Sequence, residues 1–379
     1  MDGNEITPSN VVQRAREKPL LVVGSIVLLL MLGDIVLDVA TGQLKFSNLV
    51  VLLWRGLVNG LTYGLAGIGL SMTYSILNFA NFSHGDYLTV GAFGGWSATW
   101  VIAGLGVTSG ALLEFAARPF GDLLLIGAAG NVYAPEIDAN VIMNPLSIFI
   151  GLAIAAISTI AIALLIDWFV YSDMREDSGI VRLIASIGVA FGLRYLIVFF
   201  YTQQPRAVTD SPGAFTIGMG SGSVNFGYHQ ITLVVVAVAT MLAVHFTLQQ
   251  TKLGKAMRAM SDNEDLARIT GIPTEKVITW TWIIGAGLAG MAGYLAVLEA
   301  GTIAFNRGWL LLLFVFAAVI LGGIGSIYGA IYGGLVIGLT DTLSQIWLPD
   351  GLTQAAAFGI MILVLLYRPQ GLFAGRTTA

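Results

Sequence analysis

Long apolar runs alternate with short polar breaks along the whole chain. The runs fall at 20–40, 49–77, 83–104, 146–171, 181–201, 230–249, 278–299, 309–324, 327–347 and 352–367. Most reach the ~17–25 residues that a helix needs to cross hydrocarbon, and the last is short. The pattern therefore predicts an all-α, polytopic integral membrane protein with about 10 (8–10) transmembrane helices. It divides the chain into an N-terminal segment 1–19, a transmembrane domain 20–367 and a tail 368–379. The first run is too long for a signal-peptide core and lacks a small-residue cleavage site, so it reads as a span. The split within 309–347 stays open: two spans, or a segment that re-enters.

Charge sets the orientation. Placing the N-terminus inside puts Arg14, Arg16, Lys18, Arg175, Arg182, Lys252, Lys255, Arg258, Arg268, Lys276, Arg368 and Arg376 in cytoplasmic segments. External segments then hold only Lys45, Arg118, Arg206 and Arg307. Twelve against four follows the positive-inside rule. The loop 250–277 is thereby cytoplasmic, and the loop 105–145, with Glu114, Asp122, Glu136 and Asp138, is external. Composition agrees with a membrane protein, since 56% of residues are hydrophobic and only 11% are charged. The net charge of −4 gives no basic footprint for nucleic acid. There is no cysteine, and His84, His229 and His245 lie too far apart in sequence for metal-ligand spacing.

Small residues recur at helical spacing. Gly56, Gly60 and Gly64 stand four apart, with Gly67 one turn on, and Gly325, Gly329 and Gly333 repeat the interval. Such stripes let helix backbones approach closely in lipid. Gly322, Gly323 and Gly325 lie in Gly-Gly-Ile-Gly-Ser, which should break a helix and offer free backbone groups to a passing solute. Between two runs stand Asn78, Asn81, Ser83, His84, Gly85 and Asp86, where Ser83 and Asp86 fit a helix cap and its third residue. His84 reads as a structural histidine at a helix start. Arg194 is the intramembrane charge with no evident partner.

The loop 250–277 carries a short helix. Ser261 fits its N-cap and Glu264 completes a capping box. Asp262, Glu264 and Asp265 fill the first turn, Arg268 sits near the last, and Gly271 suits the left-handed position beyond it. Leu266 and Ile269 share one face, with Ala267 beside them. A helix this short is unstable alone in water, which suggests that a partner covers that face. The plainer alternative is that it packs on its own protein or lies in the headgroups.

The residues 254–271, GKAMRAMSDNEDLARITG, resemble the cytoplasmic coupling loop of ABC importer permeases of the branched-chain amino acid family. Asp265-Leu266-Ala267 stands where that family has a Glu-Ala-Ala triplet, with Gly271 at its following glycine. Asn78-Phe-Ala-Asn81-Phe-Ser83-His84-Gly85 is similar to the family's Asn-Phe-Ala-His-Gly signature. The Gly322–Ser326 segment and the ending Arg368-Pro-Gln-Gly-Leu-Phe373 also look like its motifs, in the family's order. The resemblance implies import of a branched-chain amino acid or a related amide or urea. It also implies cytoplasmic ATPase subunits, a second, paralogous permease and an external solute-binding protein, around a chain embedded in membrane lipid. Residues 261–271 would then be the ATPase-coupling helix, and the glycine stripes would line or pack the solute pathway.

No phosphate loop G-x-x-x-x-G-K-[ST] is present, so no ATPase site of its own is expected, nor any cofactor or catalytic centre. The GxGxxG of Gly285–Gly290 lies inside an apolar run and lacks the preceding strand that a dinucleotide site requires. The rival reading is an ion-coupled secondary transporter of small amino acids. It would need paired carboxylates near the midplane, and the acidic residues here are scattered.

Overall fold

A backbone in hydrocarbon must satisfy its own hydrogen bonds, and each apolar run accordingly becomes a helix. The computed structural model describes residues 19–107, 140–209, 213–219 and 222–373. In chain order the first six helices are α1 (Pro19–Thr41), α2 (Phe46–Leu77), α3 (His84–Val107), α4 (Pro145–Ile166), α5 (Gly179–Tyr201) and α6 (Tyr228–Gln250). Two short ones, α7 (Lys252–Asp262) and α8 (Glu264–Ile269), precede α9 (Thr274–Ala300), α10 (Arg307–Gly322), α11 (Ile327–Leu343) and α12 (Thr353–Tyr367). A π-helical turn, Asp167–Tyr171, extends α4. The segment 1–18, most of the loop 105–145 and the end of the tail lie outside the described residues.

The axis is α2, which is buried almost without a break from Gly60 to Thr73. A helix buried on all sides needs small residues wherever a neighbour's backbone must come near. Its glycines meet α11 in antiparallel register. Gly56 faces Leu339 and Thr342, Gly60 faces Gly334 and Leu335, and Gly64 faces Ala330 and Ile331. A Cβ on Gly60 would lie 2.8 Å from the Leu335 Cα, and one on Gly334 would lie 2.6 Å from the Gly60 carbonyl oxygen. The second half of the core repeats the device with α3, α4 and α9. Gly91 abuts the Gly290 backbone, Gly293 abuts Leu88, and Gly285 faces Gly69 of α2. Tyr294 closes this half, its hydroxyl 2.6 Å from Thr99 Oγ1.

The polar connections separate to two ends. One end gathers Asn78–Ser83, the turn after α4, the loop 250–277 and the break between α10 and α11. Arg175 joins Asp167 at 2.9 Å and Glu275 at 3.4 Å there, and Ser75 Oγ donates to Gly325 O at 3.1 Å. The other end carries two antiparallel β ribbons that the hydropathy pattern did not predict. Strand β1 (Arg206–Ala207) pairs with β4 (Thr302–Ile303), and β2 (Ala214–Met219) pairs with β3 (Gly222–Gly227). Phe226 of β3 packs edge-on against Trp54 at 5.0 Å, which docks the hairpin on α2. Strands of six residues or fewer, rich in glycine, leave little trace beside runs of membrane length.

Five described helical segments are long and apolar enough to cross a membrane: α2, α4 with its π turn, α5, α6 and α9. The pair α10–α11 adds a sixth if it counts as one span, but it bends by 120° at its break. The chain therefore turns sharply within 309–347, at a broken span or a re-entrant loop. The expected total of about ten crossings is not reached on length and composition.

The α2–α11 seam makes a direct prediction. Gly334→Val should force the two backbones apart and destabilise the protein by about 1–3 kcal/mol or more. On α5, a Cβ added at Gly188 would meet nothing within 4 Å, and Gly188→Val should stay within ~0.5 kcal/mol. Thermal unfolding of the two variants in detergent checks this, and equal melting temperatures would refute the seam.

Candidate functional site

The charged loop begins with a tight turn. Gly254 lies against the Leu248 backbone, where no Cβ would fit, so α7 folds back directly under α6. Thr251 Oγ1 caps α7 by accepting from Gly254 N at 3.1 Å. Met257 and Met260 turn inward while Lys252, Lys255, Ser261 and Asp262 face out. This places Ser261 in the last turn of α7, which corrects the expected capping box. The chain breaks at Asn263 instead, whose backbone is extended (φ −161°, ψ 107°) and whose Oδ1 accepts from Leu266 N at 2.8 Å. Asparagine caps as well as serine does, and the residues upstream already belonged to another helix. Glu264 is thereby free of the cap and pairs with Arg268 at 3.0 Å.

The end of α8 is a Schellman turn. Ile272 N donates to Ala267 O at 3.0 Å, Gly271 N donates to Arg268 O at 3.1 Å, and Gly271 takes φ +86°. Ala267 does not share a face with its apolar neighbours. It is buried at 2% exposure and seats the helix on its own chain, while Leu266 is 55% exposed and Ile269 80%. Asp265 is exposed with them. The helix is held from within and presents an apolar pair outward.

Just beyond it, Glu275 connects the loop to the bundle through Arg175. Asp167 accepts from Arg175 Nη2 at 2.9 Å and from Trp282 Nε1 at 2.7 Å. The Trp282 ring stacks on Tyr171 at 5.3 Å, and Tyr171 meets Phe79. The segment after α2 thus shares one cluster with the start of α9. Asn78 turns the chain there in the left-handed conformation, φ +52°.

Within that segment Asn81 Oδ1 accepts from both Ser83 N at 3.0 Å and Ser83 Oγ at 2.5 Å. His84 Nε2 lies 2.9 Å from Ala66 O, deep in the bundle and hydrogen-bonded as a structural histidine. Gly85 admits the start of α10, and Thr89 Oγ1 accepts from Gly308 N at 3.2 Å. The Ser83–Asp86 cap does not form. Asp86 is taken by Arg194, whose Nε and Nη2 donate to its two oxygens at 3.1 and 3.0 Å. The guanidinium also lies 4.6 Å over the Trp309 ring. Arg194 therefore has the partner that sequence reasoning could not name. The two residues are 108 apart, and Asp86 looked accounted for as a cap.

The glycine-rich break is occupied. Leu372 N donates to Leu321 O and Phe373 N to Gly322 O, both at 2.9 Å. Gly323 and Gly325 take φ +105° and +88°, and Gly371 packs on Gly323. Ser326 Oγ accepts from Gly329 N at 3.0 Å. Gly322 lies against Gly329, Gly333 against Ala318, and Gly67 against Val319 and Ala330. The expectation of free backbone groups at Gly322–Ser326 is thus narrowed: Phe373 N takes Gly322 O, Ser326 N takes Gly323 O and Ser75 Oγ takes Gly325 O.

Comparison with known proteins meets this geometry across most of its length. The family model described as the permease component of branched-chain amino acid transport systems matches residues 52–366. The chain belongs to that family. It is 30% identical to the high-affinity branched-chain amino acid transport system permease protein BraD of Pseudomonas aeruginosa, over 84% of this chain and 93% of the relative. It is 28% identical to the corresponding LivH of Escherichia coli, over 86% and 96%. It is also 26% identical to a probable branched-chain amino acid transport permease protein LivM of Methanocaldococcus jannaschii, over 85% and 92%. No solved structure matches. The permease is a multi-pass protein of the cell membrane.

The matched range takes in α7, α8, the Asp86–Arg194 pair and the α10–α11 break, but stops short of Gly371, Leu372 and Phe373, which fill that break. The cap assignment in the permease can be separated from its rival. Asn263→Ala should cost about 1 kcal/mol locally, a roughly five-fold faster amide exchange over 264–270. Ser261→Ala should leave that exchange unchanged. Hydrogen–deuterium exchange of the two variants reads the difference, and the reverse order would restore the capping box.

Proposed function

We propose that this permease forms half of the solute pathway of an ATP-driven importer of branched-chain amino acids. It works with a second, paralogous permease, cytoplasmic ATPase subunits and an external solute-binding protein, and has no ATPase site of its own. The names of its relatives support the substrate class. Similarity to both LivH-type and LivM-type permeases supports a paralogous pair. The observation that carries the mechanism is α8. A six-residue helix, capped at both ends and seated on Ala267, holds Leu266 and Ile269 out at the charged end of the bundle. That apolar pair, ringed by Asp265 and the Glu264–Arg268 pair, is the surface on which the ATPase docks. Movement of the docked helix passes through Gly271 and Glu275 to Arg175 and Asp167, and so to α4 and α9.

The orientation follows the charge. The loop 250–277 faces the cytosol and 105–145 faces outside. The finer count of about ten crossings belongs to this arrangement. Helices α1–α6 return the chain to the inside at 250, and α9–α12 return the tail to the end where it fills the break. The glycine stripes at Gly60, Gly64 and Gly67 and at Gly325, Gly329 and Gly333 supply smooth contacts along which helices shift during import.

The test uses the assembled complex in proteoliposomes. Leu266→Asp puts an unpaired carboxylate into the ATPase interface, at a cost of several kcal/mol. The variant should insert normally, lose the co-purifying ATPase and lose ATP-driven uptake of leucine. Gly271→Val, with a branched side chain at positive φ, should do the same. Full uptake and full ATPase recovery in both would remove α8 from the docking surface. Because the chain has no cysteine, Asp262→Cys gives a clean probe of orientation. It should resist a membrane-impermeant thiol reagent in intact cells and react once the cells are opened.

A further inference from the structure

The Asp86–Arg194 pair is not explained by packing. It sits where α3, α5 and α10 meet, with the Asp86 side chain 0% exposed and that of Arg194 11%. Burying two charges costs desolvation that their attraction barely offsets, and apolar residues would hold the same helices at least as well. Charges inside membrane bundles are kept where a polar solute or ion must pass. The side chains around this pair are aromatic. Trp309 lies under the guanidinium at 4.6 Å and Phe191 flanks it at 5.3 Å. Phe82 stands 6.5 Å from Trp309 and 5.0 Å from Phe316, ring to ring. Phe191 is exposed and the other three are half-buried, so the cluster opens on one face of the bundle.

The geometry of the pair leaves one edge of the arginine unused. Its two hydrogen bonds to Asp86 employ Nε and Nη2, and among the described residues Nη1 has no acceptor. We propose that Arg194 receives the carboxylate of the transported amino acid on this Nη1 edge, with the apolar side chain of the solute against Phe82, Trp309 and Phe316. Asp86 is a positioning residue. It fixes the plane of the fork through Nε and Nη2, and the Trp309 ring under the guanidinium holds that plane. This rests on reading the chain as an amino-acid permease. It moves the polar contact of the solute away from the Gly322–Ser326 break, where Phe373 N takes Gly322 O and Ser75 Oγ takes Gly325 O.

Two measurements decide it. In the reconstituted complex, Arg194→Lys keeps the charge and its attraction to Asp86 but loses the planar fork. Leucine uptake should fall at least about ten-fold, with assembly and ATP hydrolysis retained. A mere latch between helices would survive that change, so near-normal uptake by Arg194→Lys overturns the proposal. The second measurement uses Phe82→Cys in this cysteine-free chain. The anionic reagent 2-sulfonatoethyl methanethiosulfonate should react several-fold faster than its trimethylammonium analogue. The preference should vanish when Arg194→Gln is added, and L-leucine supplied with binding protein and ATP should slow the reaction. No reaction with either reagent, or no anionic preference, shows a face sealed by lipid or protein and overturns the site. If the unaltered complex imports no leucine but the Arg194-dependent preference persists, the substrate assignment fails while the carboxylate site stands. If leucine is imported but the Phe82→Cys variant does not react, the site alone fails.

Discussion

Glycine contact between backbones is the constraint on which the rest of the bundle depends. Lipid tails are as apolar as leucine, so helices in a membrane gain little by hiding apolar side chains from their surroundings. They gain by touching closely, and closeness requires the absence of Cβ. Here α2 meets α11 at Gly56, Gly60 and Gly64, and α3 meets α9 at Gly91 and Gly293. Once those axes are in contact, the larger residues have fixed places. Tyr63 stacks on Phe314, Tyr171 stacks on Trp282, and Tyr294 closes on Thr99.

Polar groups within so dry a core are costly when bare, and the chain pairs several of them over long distances. The broken backbone between α10 and α11 would be costly if bare. The tail returns to cover it, and Ser75 reaches across from α2. Asp86 and Arg194 neutralise each other across two helices, and Asp167 is held by Arg175 and Trp282. These closures also connect separate parts of the bundle. The loop 250–277 reaches the bundle through Arg175, and the segment after α2 reaches it through Tyr171.

By itself the sequence determined what depends on local composition. Among the described residues, hydropathy located every long helix, because a run of about twenty apolar residues has few other places to go. Charge asymmetry marked one set of loops, and short motifs were enough to suggest the family. Only the tertiary structure decided which polar atoms meet. Asp86 beside Ser83 has the local look of a cap, and its capture by Arg194 depends on α5 lying against α3. Ser261 and Asn263 are both good caps, and the choice between them turned on where α7 ends, at Asp262. The break at Gly322 read as an open site because the residues that fill it, Leu372 and Phe373, lie some fifty positions away. Periodicity reports the face a residue occupies, but pairings across the fold depend on how helices cross, and that geometry is written in no single stretch of the chain.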